Sequence, residues 1–367
     1  MDHLTELKKS ISDKFWNDIH ESECYVRQHP IDKLVRTLEN NYSSSYEKKK
    51  AEKLLKVILE IKKKHPNYFN GTWDNRVLRI KDYYNEAVGT LGEYRCRQIL
   101  EESGFNVDEI REKNNKKTPD FIVQDRTGEN LYIEVMTPRM NEAARKKLEE
   151  FHSREISQEE IEGEVTVKVS MISVNYISER GNEEKETEKT RIIDLYKRLL
   201  SNKGKAEQTV SGAINILWLN FEDSDLSINK SHVYPCHSSS FKDIYQTSNF
   251  GIWQMFYGKK DSSIFGDRTW LTYYGGKSYE KTVQQSDGYF RENNKWAGVI
   301  MNFDDCQVFY QNPWSSIEIP IKTKQSIMRL RNFDLNASWV DENNDFLLER
   351  IESKVNEFER IHQIFEE

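Results

Sequence analysis

The chain has 367 residues, long enough for one large domain or two ordinary ones with ample material for a core. With 31% charged and 37% hydrophobic residues it suits a protein of long exposed helices, and no run approaches the roughly 18 apolar residues of a membrane span. A net charge of −7 does not advertise a nucleic-acid binder, and Cys24, Cys96, Cys236 and Cys306, with no Cys-x-x-Cys pair, argue against structural zinc or a disulfide framework.

The first residues, Met1-Asp2-His3-Leu4, carry no signal-peptide pattern, so the cytoplasm is the expected compartment. Residues 1–67 read as helices. Leu4, Leu7 and Ile11 share one apolar stripe, and a second helix is expected near Ile31–Asn40. The third, Tyr46–Lys64, is clearest: Ala51, Leu54, Leu55, Ile58 and Ile61 recur at helical spacing among lysines. Its lysines read first as a solvated face, with phosphate contact as the alternative. His65-Pro66 ends it, and Asn70-Gly71-Thr72 reads as a linker, placing a boundary near residue 75. Residues 81–104 form a long helix carrying Gly89, Gly92 and Glu93 and capped at Ser103-Gly104. Phe105-Asn106-Val107 begins a first strand.

Thr118–Arg139 reads as a hairpin. Strands Asp120–Gln124 and Asn130–Met136 flank an Arg126-Thr127-Gly128 loop with Gly at the place that wants a positive φ. Pairing symmetric about Thr127 sets Val123 against Leu131, Phe121 against Ile133 and Asp120 against Glu134. Phe121, Val123, Leu131, Ile133 and Val135 then form one apolar face. Two like charges opposite one another are destabilising, and a divalent cation would compensate them; Mg²⁺ takes one or two carboxylates and fills its shell with water and phosphate oxygens. Solvent-exposed hairpin acids are the plainer alternative. Against it stands Glu134 inside the apolar run Leu131-Tyr132-Ile133-Glu134-Val135-Met136.

Beyond Arg139 a charged helix is expected over 141–151, then an alternating strand segment from Val165 to Ile177. A further helix starts at Thr190 and carries Ile192, Tyr196 and Leu199. Ala213–Phe221 is a near-continuous apolar run, the mark of a strand buried on both faces. His232, Cys236 and His237 lack regular metal-ligand spacing. Aromatics from Tyr234 to Phe290 lie among lysines and arginines, where base stacking competes with the simpler reading of core packing. Trp296–Phe303 and Cys306–Tyr310 form a second hairpin turning at Asp304-Asp305, and residues 341–366 a final amphipathic helix.

Pro119-Asp120, thirteen residues, then Glu134-Val135-Met136 resembles the PD-(D/E)XK nuclease superfamily. The resemblance covers roughly residues 85–222 and extends at most to 320. It implies an α/β fold with a restriction-endonuclease-like core, a mixed central sheet flanked by helices, here with an N-terminal helical region and a C-terminal helix. The corresponding divisions are 1–75, 76–325 and 326–367. It implies Mg²⁺ or Mn²⁺ on Asp120, Glu134 and the Val135 carbonyl, with the upstream Glu93 as a further catalytic residue at the metal site. Met136 occupies the lysine position of the motif. In some branches the base moves to the following helix beside a glutamine, and Lys205 and Gln208 match that arrangement; Lys189 and Lys197 are alternatives, and Arg139 a weaker one because it stays charged.

The expected function is a metal-dependent nuclease acting on nucleic acid, with DNA favoured by the resemblance and restriction or antiviral defence as its context. Cutting both strands of a duplex needs two sites, which makes a homodimer or a defence-complex partner the assemblies to look for. The alternative is a catalytically weakened module that binds nucleic acid or a protein partner. An α/β enzyme acting on a small phosphorylated metabolite is a third, without a Gly-rich phosphate loop to support it.

Overall fold

The computed structural model describes residues 3–20, 29–78, 83–110, 117–139, 175–177, 183–185, 188–201, 208–226, 228–233, 237–240, 244–247, 251–262, 271–272 and 286–366. Lys205, the helix expected over 141–151 and the strand expected over 165–171 lie outside the described residues. The chain divides into two compact units, residues 1–98 with 139–186, and residues 99–138 with 187–367.

The first unit is mainly helical: α1 (His3–Lys8), α2 (Asp13–His20), α3 (Pro30–Glu39), α4 (Ser45–Lys64), α5 (Pro66–Thr72) and most of α6 (Tyr83–Glu102). Helix α4 starts in a capping box, in which Ser44 Oγ accepts from the Glu47 amide and Glu47 reaches back to the Ser44 amide. Its buried stripe is Ala51, Leu54, Leu55, Val57, Ile58 and Ile61. The expected linker Asn70–Thr72 is instead the last turn of α5, which starts on Pro66 at a position that tolerates a missing N–H. A π-helical turn, Trp73–Val77, continues it. Phe69 and Trp73, four apart, stack at 4.7 Å and supply the packing that a loop would lack. Two short strands, β4 (Asn175–Ile177) and β5 (Glu183–Lys185), pair antiparallel in the same unit.

The second unit holds a six-stranded mixed sheet, ordered β1 (Asn106–Glu109), β2 (Phe121–Gln124), β3 (Asn130–Met136), β6 (Ile214–Asn220), β10 (Gly298–Asn302), β11 (Gln307–Gln311). The β1–β2–β3 meander is antiparallel, β3, β6 and β10 run parallel, and β11 returns antiparallel. The hairpin register is the expected one: Phe121 pairs with Ile133 and Val123 with Leu131. Gly128 closes the turn at φ +87°, and its apolar face is buried throughout. All seven residues of β6 are buried.

Helices flank the sheet: α7 (Glu188–Ser201), α8 (Gly251–Tyr257), α9 (Tyr289–Glu292), α10 (Ile321–Ile327) and α11 (Asn344–Glu366). Leu217 and Leu219 of β6, Val299 and Met301 of β10, and Val308 and Tyr310 of β11 form one apolar cluster with Ile192, Leu195 and Leu199 of α7 and Leu347 and Ile351 of α11. Trp253, Phe256, Tyr257, Tyr289 and Phe290 belong to this cluster. These aromatics are core and not a base-stacking surface. A smaller sheet, β7 (His237–Ser240), β8 (Ile244–Thr247) and β9 (Leu271–Thr272), completes the unit. Among the described residues, no helix is long and apolar enough to cross a membrane.

Candidate functional site

The hairpin brings two of the candidate acids together. Asp120 stands one residue before β2, after the buried Pro119, and extending the ladder one step sets it across from Glu134. Its Oδ2 accepts a hydrogen bond of 2.7 Å from the Val135 amide. A proline precedes it, the strand begins only at Phe121, and the carboxylate does for Val135 what a strand carbonyl does elsewhere in the ladder. The Asp120 carbonyl accepts from the Ile110 amide at 3.0 Å, tying the same residue to the end of β1.

Glu134 is 0% exposed. In the parallel register it pairs with Leu217, so its side chain leaves the sheet on the face of the apolar cluster. A carboxylate there costs far more than one on a solvated hairpin unless charge or hydrogen bonds accompany it. Met136, at the motif's lysine position, is half-buried on the same face and packs against that cluster. Val135 points to the opposite, equally buried face.

Gln208 is also drawn to this end of the hairpin. It lies in a turn before β6, and its Nε2 donates to the Thr118 carbonyl at 3.3 Å, two residues from Asp120. Of the alternative lysines, Lys189 is in the first turn of α7 and Lys197 is exposed on the same helix.

Glu93 sits in the helical unit with partners of its own. Arg76 donates to both of its oxygens, Nη1 to Oε2 at 2.9 Å and Nη2 to Oε1 at 2.5 Å, and the Tyr68 hydroxyl donates to Oε2 at 3.0 Å. Burial first, then the neighbouring Glu93 charge, pushes the Tyr68 hydroxyl well above its ordinary pKa, keeping it a donor. Arg97 lies over the Tyr68 ring at 5.1 Å. This bidentate pair explains the buried glutamate without a ligand.

At the carboxyl ends of the parallel strands runs a chain of buried amides that motif searching misses. Asn302 Nδ2 donates to Asn220 Oδ1 at 2.9 Å, and Gln307 Nε2 to Asn302 Oδ1 at 2.9 Å. Asn220 Nδ2 in turn reaches Asp223 Oδ2 at 2.9 Å and Thr137 Oγ1 at 3.5 Å. Phe221 and Phe303 stack alongside at 5.1 Å. The signal was a short echo, Leu219-Asn220-Phe221-Glu222-Asp223 against Met301-Asn302-Phe303-Asp304-Asp305, at the ends of two adjacent strands in matching register.

Carboxylate oxygens are hard donors of the kind Mg²⁺ takes one or two at a time, with water and phosphate oxygens completing its shell. Among the described residues, no group of three or more His, Cys, Asp or Glu side chains converges as a metal site. Comparison with protein-family models, with curated proteins and with solved structures returns no match for the chain.

Proposed function

We propose that the protein is a metal-dependent phosphodiesterase acting on nucleic acid, with DNA favoured, built on a restriction-endonuclease-like core. The observation that carries this reading is the 2.7 Å bond from Val135 to Asp120, which holds that carboxylate against the strand carrying Glu134. The order of elements also supports it: a helix, an antiparallel β1–β2–β3 meander, a helix, then β6 parallel to β3. In that reading Asp120, Glu134 and the Val135 carbonyl hold Mg²⁺ or Mn²⁺. The chemistry such an ion supplies is polarisation of the scissile phosphate and stabilisation of the leaving oxygen. Asp120 is held at a fixed angle by the Val135 amide and Glu134 by the packed sheet face, so neither has to be ordered when substrate arrives. Gln208 is bonded to the Thr118 carbonyl, two residues from Asp120, and in this reading Lys205 or Lys189 is the group that orients or deprotonates water.

One observation favours a second reading. Met136 is packed into the apolar cluster at the position where the motif has its lysine, as in a fold that keeps its acids and binds without cutting. Incubating the full chain with single- and double-stranded DNA and RNA in Mg²⁺ or Mn²⁺ separates the two. Metal-dependent cleavage lost in both Asp120→Ala and Glu134→Ala supports the phosphodiesterase. Absence of cleavage by the wild type on every substrate supports the binding module.

A further inference from the structure

We propose that the solvent face of α4 is a docking surface for single-stranded nucleic acid; the inference rests on the proposed function only for the class of ligand. Helix α4 carries eight lysines and three glutamates, a net charge of +5 in a chain whose total is −7. Its apolar stripe is buried, and the exposed positions opposite it include five of the lysines. Lys49, Lys56 and Lys63 recur every seven residues and therefore stand along one line about 10 Å apart. Lys53 and Lys64 flank that line, and all five are exposed.

Two of the three carboxylates of the helix are engaged, and the third, Glu52, is exposed among the lysines and offsets one of their charges. Glu47 is folded back onto Ser44 in the capping box, accepting from its amide and its hydroxyl. Glu60 accepts from Gln98 Nε2 at 2.5 Å. Lys56, itself exposed, lies 3.7 Å from the half-buried Glu60, a long i,i+4 contact that leaves the ammonium open to a phosphate. At the head of the lysine line stand two aromatic rings, Tyr42 at 97% and Tyr46 at 62% exposure. Exposed rings beside a row of cations are what an unpaired strand requires: stacking platforms for bases and a track for the backbone. A duplex offers its bases only at their edges, so the two tyrosines favour the single strand.

The test is fluorescence anisotropy of the full chain with a labelled oligothymidylate of about 20 nucleotides, in EDTA, over a range of salt. The wild type is expected to bind with a log–log salt slope of about −2 to −3.5. Replacing Lys49, Lys53, Lys56 and Lys63 together by glutamine should weaken binding at least tenfold and flatten the slope by about 2 to 3. Tyr42→Ala with Tyr46→Ala should weaken binding about tenfold with the slope unchanged. Circular dichroism checks that the variants keep their helix. The inference is overturned if the wild type does not bind, if both variants bind as it does, or if the tyrosine variant binds normally while labelled heparin tracks the lysine variant. Metal-free binding that depends on α4, with no cleavage in metal, would remove the phosphodiesterase and leave this surface standing. Cleavage by a wild type whose α4 variants bind unchanged would remove this surface alone.

Discussion

The Asp120 carboxylate and the Val135 amide are hydrogen-bonded at 2.7 Å, so a side chain closes the open end of the β2–β3 ladder. The contact serves structure and chemistry at once, since it satisfies a buried N–H and fixes an acid beside Glu134. Asp120→Ala should cost about 1–3 kcal/mol in urea unfolding, because the Val135 amide loses its acceptor. Asp120→Asn keeps an oxygen at that place and should cost less than ~1 kcal/mol, while removing the charge a metal needs. Equal destabilisation by the two variants would show that the bond is not what holds the hairpin end.

Glu93 and Arg76 form a bidentate ion pair within the helical unit. Their side chains are 8% and 40% exposed, so the coupling should fall below that of a fully buried pair. A double-mutant cycle with Glu93→Gln and Arg76→Met should give about 1–2 kcal/mol of coupling. Additive effects in thermal or urea melts would contradict this assignment.

The hairpin and β6 were legible in the sequence because their information is local. Gly128 marks the turn, strict alternation sets the faces, and Ala213–Phe221 has no polar side to place. The surroundings of Glu93 were not legible. The stretch from Thr90 to Gln98 is buried on every side of α6, so periodicity points nowhere, and the partners Arg76 and Tyr68 lie 17 and 25 residues away. Helix α5 was hidden by Asn70-Gly71, whose turn-like composition is overridden by Phe69 stacking on Trp73. The amide chain was hidden because Asn220 and Asn302 meet only once β6 and β10 are paired.

His29 should make stability depend on acid. Its Nε2 meets the Val77 carbonyl at 2.7 Å and its Nδ1 accepts from the Ile31 amide, so the ring is neutral with the proton on Nε2. Burial is the main cause that lowers its pKa from 6.5 to about 4. Between those values the unfolded chain binds the proton and the folded one does not. The contribution is complete above pH 6.5 and lost as pH falls toward 4, amounting to ~3 kcal/mol at most. Urea midpoints measured down that range should fall more steeply in the wild type than in His29→Gln. Parallel slopes would argue against a neutral buried imidazole.

Asn302 is the middle of the buried amide chain and is 0% exposed. Asn302→Ala strips the acceptor from Gln307 and the donor from Asn220, with an expected loss of ~2–4 kcal/mol. Hydrogen exchange should show the loss first in the amides at the ends of β6 and β10. Protection unchanged there would mean the chain of amides is not holding those strand ends together.

The shared ion is tested most directly by titrating Mn²⁺ into the full chain and following it by isothermal calorimetry or by the electron paramagnetic resonance of free Mn²⁺. The wild type should bind the ion, and Asp120→Asn and Glu134→Gln should each weaken binding at least about tenfold while remaining folded. A wild type that takes up no Mn²⁺, or folded variants that bind it undiminished, would contradict a cation held jointly by Asp120 and Glu134.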